Sequence, residues 1–326
     1  MQYYFFSIDD SFYNTLYSDF SKLERCNLVP MKLACKCPVL VKKIKSWKLP
    51  FFTWLRGRIA GWLFFYSFFD KLFSIRGRGN CYIIYGRILE SYGPSLLTYL
   101  KKKDKKGVFI CYLGDVVDSF RFKIKDLLKG FSYVYTLDRK EAKKYGLYFV
   151  QEPYSYKTIP SKTEKYDVLF VGGAKNRLEK IYTVYDELKK MHYRCKFYIT
   201  GVPIDLQKYR DEIVYNKYLD YNTVLDLISE SRGILEILQE NADSTTTRYS
   251  EAMMFNKYLI TDSEYLRQIP KLPSNVITID YSDWGCLERI RQDLSFDNSE
   301  AIKELSIKTM IDSISKNFKK EQVSSL

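Results

Sequence analysis

Residues 166–201 read YDVLFVGGAKNRLEKIYTVYDELKKMHYRCKFYITG, and this stretch decides the fold. It begins with a short apolar run that closes on two glycines, and an amphipathic run follows before a second apolar run starts at Cys195. Short apolar runs that alternate with helical patterns are typical of parallel strands joined by crossover helices. The stretch therefore predicts a strand, a helix and a second strand of a parallel sheet.

The same alternation continues on both sides of this stretch. Upstream, it predicts strands over residues 2–8, 81–86, 107–114 and 133–138, and helices over 95–102 and 122–130. Downstream, it predicts strands over 233–238, 257–262 and 275–280, helices over 224–231 and 247–255, and one long helix from Ser299 to Phe318. The fold class is therefore α/β with two Rossmann-like domains and a C-terminal helix, whereas residues 29–58 stay unassigned.

Residues 146–166 lack periodicity, contain two prolines and are largely polar, as is typical of a linker. The 326 residues of the chain are about twice the usual length of one domain. We therefore place the domain boundary in this segment, with an N-terminal domain at 1–155 and a C-terminal domain at 156–326.

The composition is that of a folded and strongly basic protein. Hydrophobic residues make up 46% and aromatic residues 17%, which excludes an intrinsically disordered chain. The net charge of +13 indicates an anionic partner: a phosphorylated ligand, a membrane surface or nucleic acid. No helix-turn-helix, ribonucleoprotein or zinc-finger pattern accompanies this charge, so nucleic acid is not expected as a partner.

The cysteines and the apolar runs indicate a cytoplasmic protein. The seven cysteines are odd in number and scattered, as reduced thiols are, and Cys35 and Cys37 lack a second ligand pair at zinc-finger spacing. The first ten residues have no basic start typical of a secretory signal. The longest uncharged apolar run, Ile59–Phe69, has eleven residues, which is too short to cross a bilayer as a helix.

A glycine-rich turn, GGAKNR at residues 172–177, follows the first strand of the predicted C-terminal domain. Glycines at such a turn let the backbone approach a ligand, and the following helix N-terminus and the flanking basic side chains favour a phosphate. The spacing is not GxGxxG, and a tight turn also uses glycine for purely structural reasons. The candidate ligand contacts in this turn are Gly172, Gly173, Lys175 and Arg177.

A polar loop before the helix predicted at 247–255 carries a second group of candidates. Threonines lie where the helix begins, so hydroxyl groups and free backbone N–H groups are available to an anion. Arg248 adds a guanidinium suited to a diphosphate, and the Glu251 carboxylate can accept hydrogen bonds from ribose hydroxyls. Ordinary helix capping explains the same residues without a ligand. The candidates of this group are Asp243, Thr245, Thr246, Thr247, Arg248 and Glu251.

Three segments carry a family resemblance. Residues 251–262 read EAMMFNKYLITD, residues 167–179 read DVLFVGGAKNRLE, and residues 136–147 read TLDRKEAKKYGL. They resemble, in turn, the donor-domain signature, the donor-domain opening and the end of the N-terminal domain in GT-B glycosyltransferases of bacterial lipopolysaccharide and capsular polysaccharide biosynthesis. The resemblance implies two Rossmann-like domains that face a central cleft, with Glu251 on the donor ribose and the preceding loop on the diphosphate.

Two positions depart from this family pattern. Many retaining members carry Glu-x7-Glu, whereas Asp243 stands eight positions before Glu251 here, and Asn256 replaces the usual glycine before the lysine. Retention or inversion of the anomeric configuration is therefore open. An inverting mechanism needs a base, and the single histidine, His192, is expected at a helix end. The candidate bases, which also suit helix capping, are carboxylates that follow predicted N-terminal strands: Asp9, Asp10, Asp115 and Asp118.

The expected function is the transfer of a sugar from a nucleotide-sugar donor to a glycan acceptor, without a cofactor. No DxD-type cluster flanks a strand of the N-terminal domain, so no metal is expected either. Basic residues and the aromatic run Ile59–Phe69 suit peripheral contact with the anionic inner face of the membrane and a lipid-linked acceptor, although the run also suits a protein core. The basic residues are Lys42, Lys43, Lys45, Lys48, Arg56 and Arg58. The alternative function is a non-catalytic nucleotide-sugar-binding or partner protein with the same fold.

Overall fold

The computed structural model describes residues 1–31, 75, 78–160, 162–240, 242, 244–292 and 296–324. The chain divides into two compact units, Met1–Leu137 with Glu141–Val150 and Asp138–Lys140 with Gln151–Leu326. The boundary expected from the sequence, after residue 155, lies slightly beyond Val150, the last residue of the first unit. The assignment of an acceptor to one half and a donor to the other stays a prediction.

The first unit is built on one parallel sheet. Its strands are β1 (Tyr3–Ile8), β2 (Cys26–Met31), β3 (Cys81–Tyr85), β4 (Val108–Leu113), β5 (Tyr133–Thr136) and β6 (Tyr148–Phe149). They lie in the order β2-β1-β3-β4-β5-β6. The helices described are α1 (Ser11–Leu16), α2 (Gly86–Tyr92), α3 (Pro94–Lys103), α4 (Ile124–Gly130) and α5 (Arg139–Tyr145), the last at the division of the units. The chain leaves β1 on one side and returns to β3 on the other, so the topological switch point lies between the carboxyl ends of β1 and β3.

The second unit is built on another parallel sheet. Its strands are β7 (Tyr166–Gly173), β8 (Cys195–Thr200), β9 (Ile213–Tyr215), β10 (Ser231–Glu236), β11 (Tyr258–Thr261) and β12 (Val276–Thr278), in the order β12-β11-β10-β7-β8-β9. The helices described are α6 (Leu178–Lys190), α7 (Tyr221–Ser229), α8 (Thr247–Met254), α9 (Glu264–Arg267), α10 (Ser299–Glu304) and α11 (Ile307–Ser324). This is the strand order of a Rossmann sheet, with the switch point between β7 and β10.

The two six-stranded parallel sheets confirm the predicted α/β class at this level. The sequence pattern does not predict β2, β6 and β9. Pro30 lies in β2, which is an edge strand and therefore tolerates a residue without an N–H donor. β6 and β9 have two and three residues, too few to show an alternation of apolar and polar positions.

The long C-terminal helix predicted from Ser299 to Phe318 is wrong, because the structure breaks it into α10 and α11. The break lies at Leu305 and Ser306. The carbonyl of Leu305 accepts a hydrogen bond from the backbone N–H of Tyr154 at 2.7 Å, and the hydroxyl of Ser306 caps the N–H of Thr309 at 3.2 Å. The carbonyl of Leu305 thus pairs outside the helix, and the next helix starts with its own cap.

The segment expected to be a linker is only partly one. Tyr148 and Phe149 form β6 of the first sheet. Residues 152–155 are buried in the second unit, where Tyr154 is 1% exposed and its ring packs edge-on against Phe255. Proline and polar residues suggest a solvated connection, but these side chains find specific partners within the second unit.

A buried carboxylate fixes the amino ends of β3 and β4. Asp104 accepts hydrogen bonds from the backbone N–H groups of Gly79 and Asn80, both at 2.9 Å, from the hydroxyl of Tyr82 at 3.1 Å and from the N–H of Lys106 at 3.2 Å. Burial opposes ionisation of Asp104, but these donors outweigh it and hold its pKa below the ordinary value.

We expect Asp104→Asn to lower the free energy of unfolding by about 2–3 kcal/mol at pH 7, because an amide replaces a charged acceptor of four bonds. A depressed folded-state pKa stabilises the fold above the unfolded-state pKa of about 4, and the effect is lost as the pH falls through the folded-state value. Urea unfolding at several pH values should therefore show the difference between wild type and variant narrowing below about pH 4. Asp126→Asn, at an exposed carboxylate of α4, is the control, and equal stability of both variants would contradict the prediction.

Candidate functional site

The turn after β7 places Arg177 across the switch point of the second sheet. The guanidinium donates to the carbonyl of Gly173 from Nε at 3.3 Å and from Nη2 at 3.2 Å, and Nη1 donates to the carbonyl of Ile237, just beyond β10. A Cβ atom on Gly172 would lie 3.4 Å from Nη2 and 3.2 Å from the ring of Phe170. Gly172 therefore leaves room for the guanidinium between the ends of β7 and β10.

Arg177 lies within a cluster of charged groups at the carboxyl edge of this sheet. Burial lowers the pKa of Arg177, the carboxylates of Glu236 and Asp262 oppose the shift, and repulsion from Arg248 adds to it. Arg248 lies in the first turn of α8, whose N-cap Thr246 is bound by Glu236 at the end of β10. The edge therefore carries the guanidinium cation of Arg177 next to a glycine turn and that of Arg248 at the start of α8.

Lys175 lies in the same turn with its side chain exposed. Its φ angle of +46° is in the left-handed region, which a residue with a Cβ atom enters at a cost. The turn therefore holds an exposed ammonium group in a conformation that glycine would adopt more easily.

A buried carboxylate anchors the N-terminus of α8. Glu236, 2% exposed at the end of β10, accepts from the N–H and the hydroxyl of Thr246 at 3.2 and 2.5 Å and from the hydroxyl of Thr261 at 2.6 Å. Burial raises the pKa of Glu236, and the hydrogen bonds from Thr246 and Thr261 oppose that shift. Thr246 is also the N-cap of α8, since its hydroxyl oxygen accepts from the N–H of Arg248 at 3.1 Å. The helix start is thus fixed to the strand ends.

Glu251 is fully buried, and both of its carboxylate oxygens are occupied. Oε1 accepts from the hydroxyl of Tyr221 at 2.9 Å, and Oε2 accepts from Nη1 of Arg248, whose side chain is 21% exposed. Burial raises the pKa of Glu251, and the neighbouring guanidinium and hydroxyl oppose the shift. In this arrangement Glu251 holds Arg248, whose side chain stays partly exposed.

The remaining candidates of the loop have different neighbours. Thr245 accepts from the side-chain amide of Gln151, and Thr247 donates to the carboxylate of Glu152 at 3.0 Å. Asp243 lies outside the described residues. The structure therefore brings together Gly172, Gly173, Arg177, Thr246 and Arg248, whereas Thr245 and Thr247 bind the segment at the start of the second unit.

The four candidate bases of the first unit have distinct environments. Asp10 caps α1 and accepts from the N–H of Phe12 at 3.0 Å, and Asp118 is exposed. Asp115 is ion-paired with Arg87 at 2.9 Å and also accepts from the N–H of Val116. These contacts give Asp10 and Asp115 structural roles.

Asp9 differs from the other three. It follows β1 directly at the switch point of the first sheet, is half-buried, and accepts from the side-chain amide of Asn14 at 3.1 Å through Oδ1. Within the described part of the chain, no donor binds Oδ2. Tyr13 and Tyr85, from α1 and β3, lie on either side of this switch point, and their hydroxyl groups are 3.3 Å apart.

Sequence reasoning missed three residues of the second unit that shape the site: Glu236, Asp262 and Tyr221. The carboxylate of Asp262 accepts from the N–H of Leu238 at 2.7 Å and from the hydroxyl of Tyr281 at 3.0 Å. Two of the three carry a sequence signal, an acidic residue at the end of an otherwise apolar strand. Glu236 is the last residue of its strand, and Asp262 directly follows its strand. Tyr221 has no such signal, because its role depends on a partner 30 positions away.

Other expectations concern metal ions, histidine and membranes. Among the described residues, no group of three or more His, Cys, Asp or Glu side chains is arranged to hold a metal ion, and metal independence stays a prediction. His192 is exposed at the end of α6, as expected. The helices within the described ranges are all too short or too polar to span a membrane. Cys35, Cys37, the basic residues 42–58 and the aromatic run Ile59–Phe69 lie outside the described residues.

Comparisons with known proteins show distant likeness in fold only. No protein-family profile and no curated protein matches the sequence. The chain is similar to the N-terminal domain of trehalose-6-phosphate phosphatase from Candida albicans, with a TM-score of 0.48 and 11% identity over 96% of this chain and 96% of that one. It is also similar to a chain of the GtfA/B complex, with a TM-score of 0.42 and 8% identity over 81% of this chain and 60% of that one. At these scores neither likeness indicates an activity.

Proposed function

We propose that the chain is a glycosyltransferase of the GT-B type, whose second unit binds the diphosphate of a nucleotide-sugar donor. The observation that supports this most is the placement of two arginines at the carboxyl edge of a Rossmann sheet, Arg177 between the ends of β7 and β10 and Arg248 at the N-terminus of α8. Doubly wound sheets bind ligands at this edge, and guanidinium groups with a helix N-terminus suit a diphosphate. The sequence resemblance covers Arg177 in the segment 167–179, and Arg248 lies in the loop just before the resembling segment 251–262.

In the proposed reaction the diphosphate is the leaving group. Negative charge develops on it as the glycosidic bond to the donor breaks, and preorganised cations stabilise that charge. Arg177 and Arg248 are held by the carbonyl of Gly173 and the carboxylate of Glu251, so they need little reorganisation. Lys175, on the exposed turn, would add a third cation.

For an inverting reaction we propose Asp9 as the base that deprotonates the acceptor hydroxyl. The acceptor would bind the first unit, and its attacking oxygen would lose its proton to Oδ2 of Asp9. Asn14, bound to the other oxygen, would keep the carboxylate oriented. A lipid-linked glycan acceptor and a peripheral membrane contact stay proposals, since they rest on residues 42–69.

A thermal-shift screen with UDP-, GDP- and dTDP-sugars tests the donor site, because a ligand that binds the native state raises the melting temperature by mass action. We expect one nucleotide to stabilise the chain, and release of its diphosphate in the presence of membrane glycolipids to follow. Binding without release would favour the alternative of a non-catalytic nucleotide-sugar-binding protein. If none of the three classes raises the melting temperature, the proposal is wrong.

We expect Lys175→Gly to weaken nucleotide-sugar binding by about tenfold while leaving the free energy of unfolding within about 1 kcal/mol of wild type. Relief of the left-handed strain offsets the greater entropy of an unfolded glycine. His192→Gly is the matched control, because His192 is also exposed and left-handed, with a φ of +60°, but lies at the opposite edge of the sheet. Calorimetric titration of both variants checks this, and equal affinities would remove Lys175 from the site.

A further inference from the structure

The segment Gln151–Ser155, at the start of the second unit, contacts the candidate donor loop at several points. The side-chain amide of Gln151 binds the hydroxyl of Thr245, and the carboxylate of Glu152 accepts from the hydroxyl of Thr247. Tyr154 contacts Tyr221, which in turn binds Glu251. Three side chains of one short segment thus act on the loop and first turn of α8.

The hydrogen bond between Tyr154 and Tyr221 has one donor, which follows from the number of hydroxyl hydrogens. The hydroxyl oxygens of Tyr154 and Tyr221 are 2.6 Å apart, and either could donate in isolation. Tyr221 has one hydroxyl hydrogen, which points to Oε1 of Glu251 at 2.9 Å, so Tyr154 must be the donor to Tyr221. The series therefore runs from Tyr154 through Tyr221 to Glu251, and Arg248 binds the other oxygen of the same carboxylate.

The burial of these groups makes the series rigid. Tyr154 is 1% exposed, Tyr221 is 5% exposed and Glu251 is fully buried. A buried polar group without its partner is costly, so each member holds its neighbour in one orientation. Arg248, at the end of the series, is the member that reaches solvent, with 21% of its side chain exposed. The orientation of its guanidinium therefore depends on three buried groups.

We propose that Tyr154, Tyr221 and Glu152 are positioning residues of the donor site. Tyr154 and Tyr221 orient the guanidinium of Arg248 through Glu251, and Glu152 orients the first turn of α8 through Thr247. This inference rests on the proposed function, because it assigns these side chains a role toward the diphosphate. It also gives Glu251 the role of holding Arg248.

The test separates affinity from stability. Tyr221→Phe and Tyr154→Phe each remove one buried hydroxyl, and Tyr193→Phe is the matched control, since Tyr193 is 5% exposed and donates to the carbonyl of Leu287 elsewhere in the second unit. Urea unfolding measures stability, and calorimetric titration with UDP, GDP and dTDP measures affinity. We expect all three variants to lose comparable stability, whereas the Kd for the bound nucleotide rises about tenfold in Tyr221→Phe, less in Tyr154→Phe, and stays unchanged in Tyr193→Phe.

A second pair of variants tests the Glu152 contact. Glu152→Ala removes the acceptor of the Thr247 hydroxyl, and Glu152→Gln keeps an oxygen acceptor at the same position. We expect a Kd several-fold above wild type for the alanine variant and one close to wild type for the glutamine variant. A purely structural role of Glu152 would lower stability without this difference in Kd.

The outcomes distinguish the two proposals. If the wild-type chain binds none of the three nucleotides, the proposed function fails and this inference fails with it. If it binds one and Tyr221→Phe binds as tightly as Tyr193→Phe, the proposed function stands and the positioning role of the tyrosines is overturned. Should Tyr221→Phe not fold, Tyr154→Phe, one hydrogen bond further from the carboxylate, decides in its place.

Discussion

Arg248→Ala is expected to lower the free energy of unfolding of the second unit by about 3–5 kcal/mol, in addition to its effect on binding. The substitution leaves the carboxylate of Glu251, which is fully buried, without its cation. The hydroxyl of Tyr221 remains as the donor to Oε1, but it does not neutralise the charge. Urea unfolding of the full chain, followed by the far-ultraviolet circular dichroism signal, measures this loss.

The double variant Arg248→Met with Glu251→Leu removes the whole ion pair. It therefore distinguishes the stability lost with the pair from the stability lost when one buried charge has no partner. Apolar residues of similar volume often replace a buried ion pair at little cost, although Tyr221 would lose its acceptor here. We expect the double variant to be more stable than Arg248→Ala by about 1–3 kcal/mol, because no buried charge remains. A double variant as unstable as the single one would show that the pair does not behave as a buried charge pair.

Asp9→Asn is expected to lower kcat for sugar transfer by about 10² to 10⁴, because it removes the proposed general base. The substituted amide keeps an oxygen that can accept from Asn14, so the fold and the Kd for the donor should not change. Nucleoside diphosphate release at saturating donor measures kcat.

Two carboxylate variants control for general effects of lost charge. Asp118→Asn, at an exposed residue, should leave kcat at the wild-type value. Asp115→Asn should lower stability instead, since Asp115 is ion-paired with Arg87. Wild-type kcat in Asp9→Asn would exclude Asp9 as the base and would favour a retaining mechanism or another residue.

Most of the fold can be predicted from the sequence, because its strands are short and apolar and are separated by clear helical patterns. β3 and β4, for example, are continuous apolar runs, CYIIY and VFICYL, and all their residues but Val108 are buried. The break at Leu305 cannot be predicted from the sequence, because the pattern on either side stays helical. The partner of the Leu305 carbonyl, the N–H of Tyr154, is far away in the sequence.

The sequence predicts which residues belong to the candidate site but not which of their side chains contact each other. Gly172, Arg177, Thr246 and Arg248 stand out as a glycine turn and a polar helix start, and the structure places them at one sheet edge. That Glu251 is buried, with Tyr221 and Arg248 bound to its carboxylate, does not follow from its place in a helix. Local sequence gives the position on the helix, whereas long-range packing decides which face meets the core.

The anchoring of Tyr154 also has a consequence for synthesis on the ribosome. Its partners Tyr221, Phe255 and Leu305 all emerge after it, the last about 150 residues later, which corresponds to roughly 8–30 s of translation. All residues of the first unit have been synthesised once Val150 is added. In the nascent chain, the aromatic side chain of Tyr154 therefore lacks its packing partners until most of the second half has been made. Chaperone binding during elongation would be most useful in that interval.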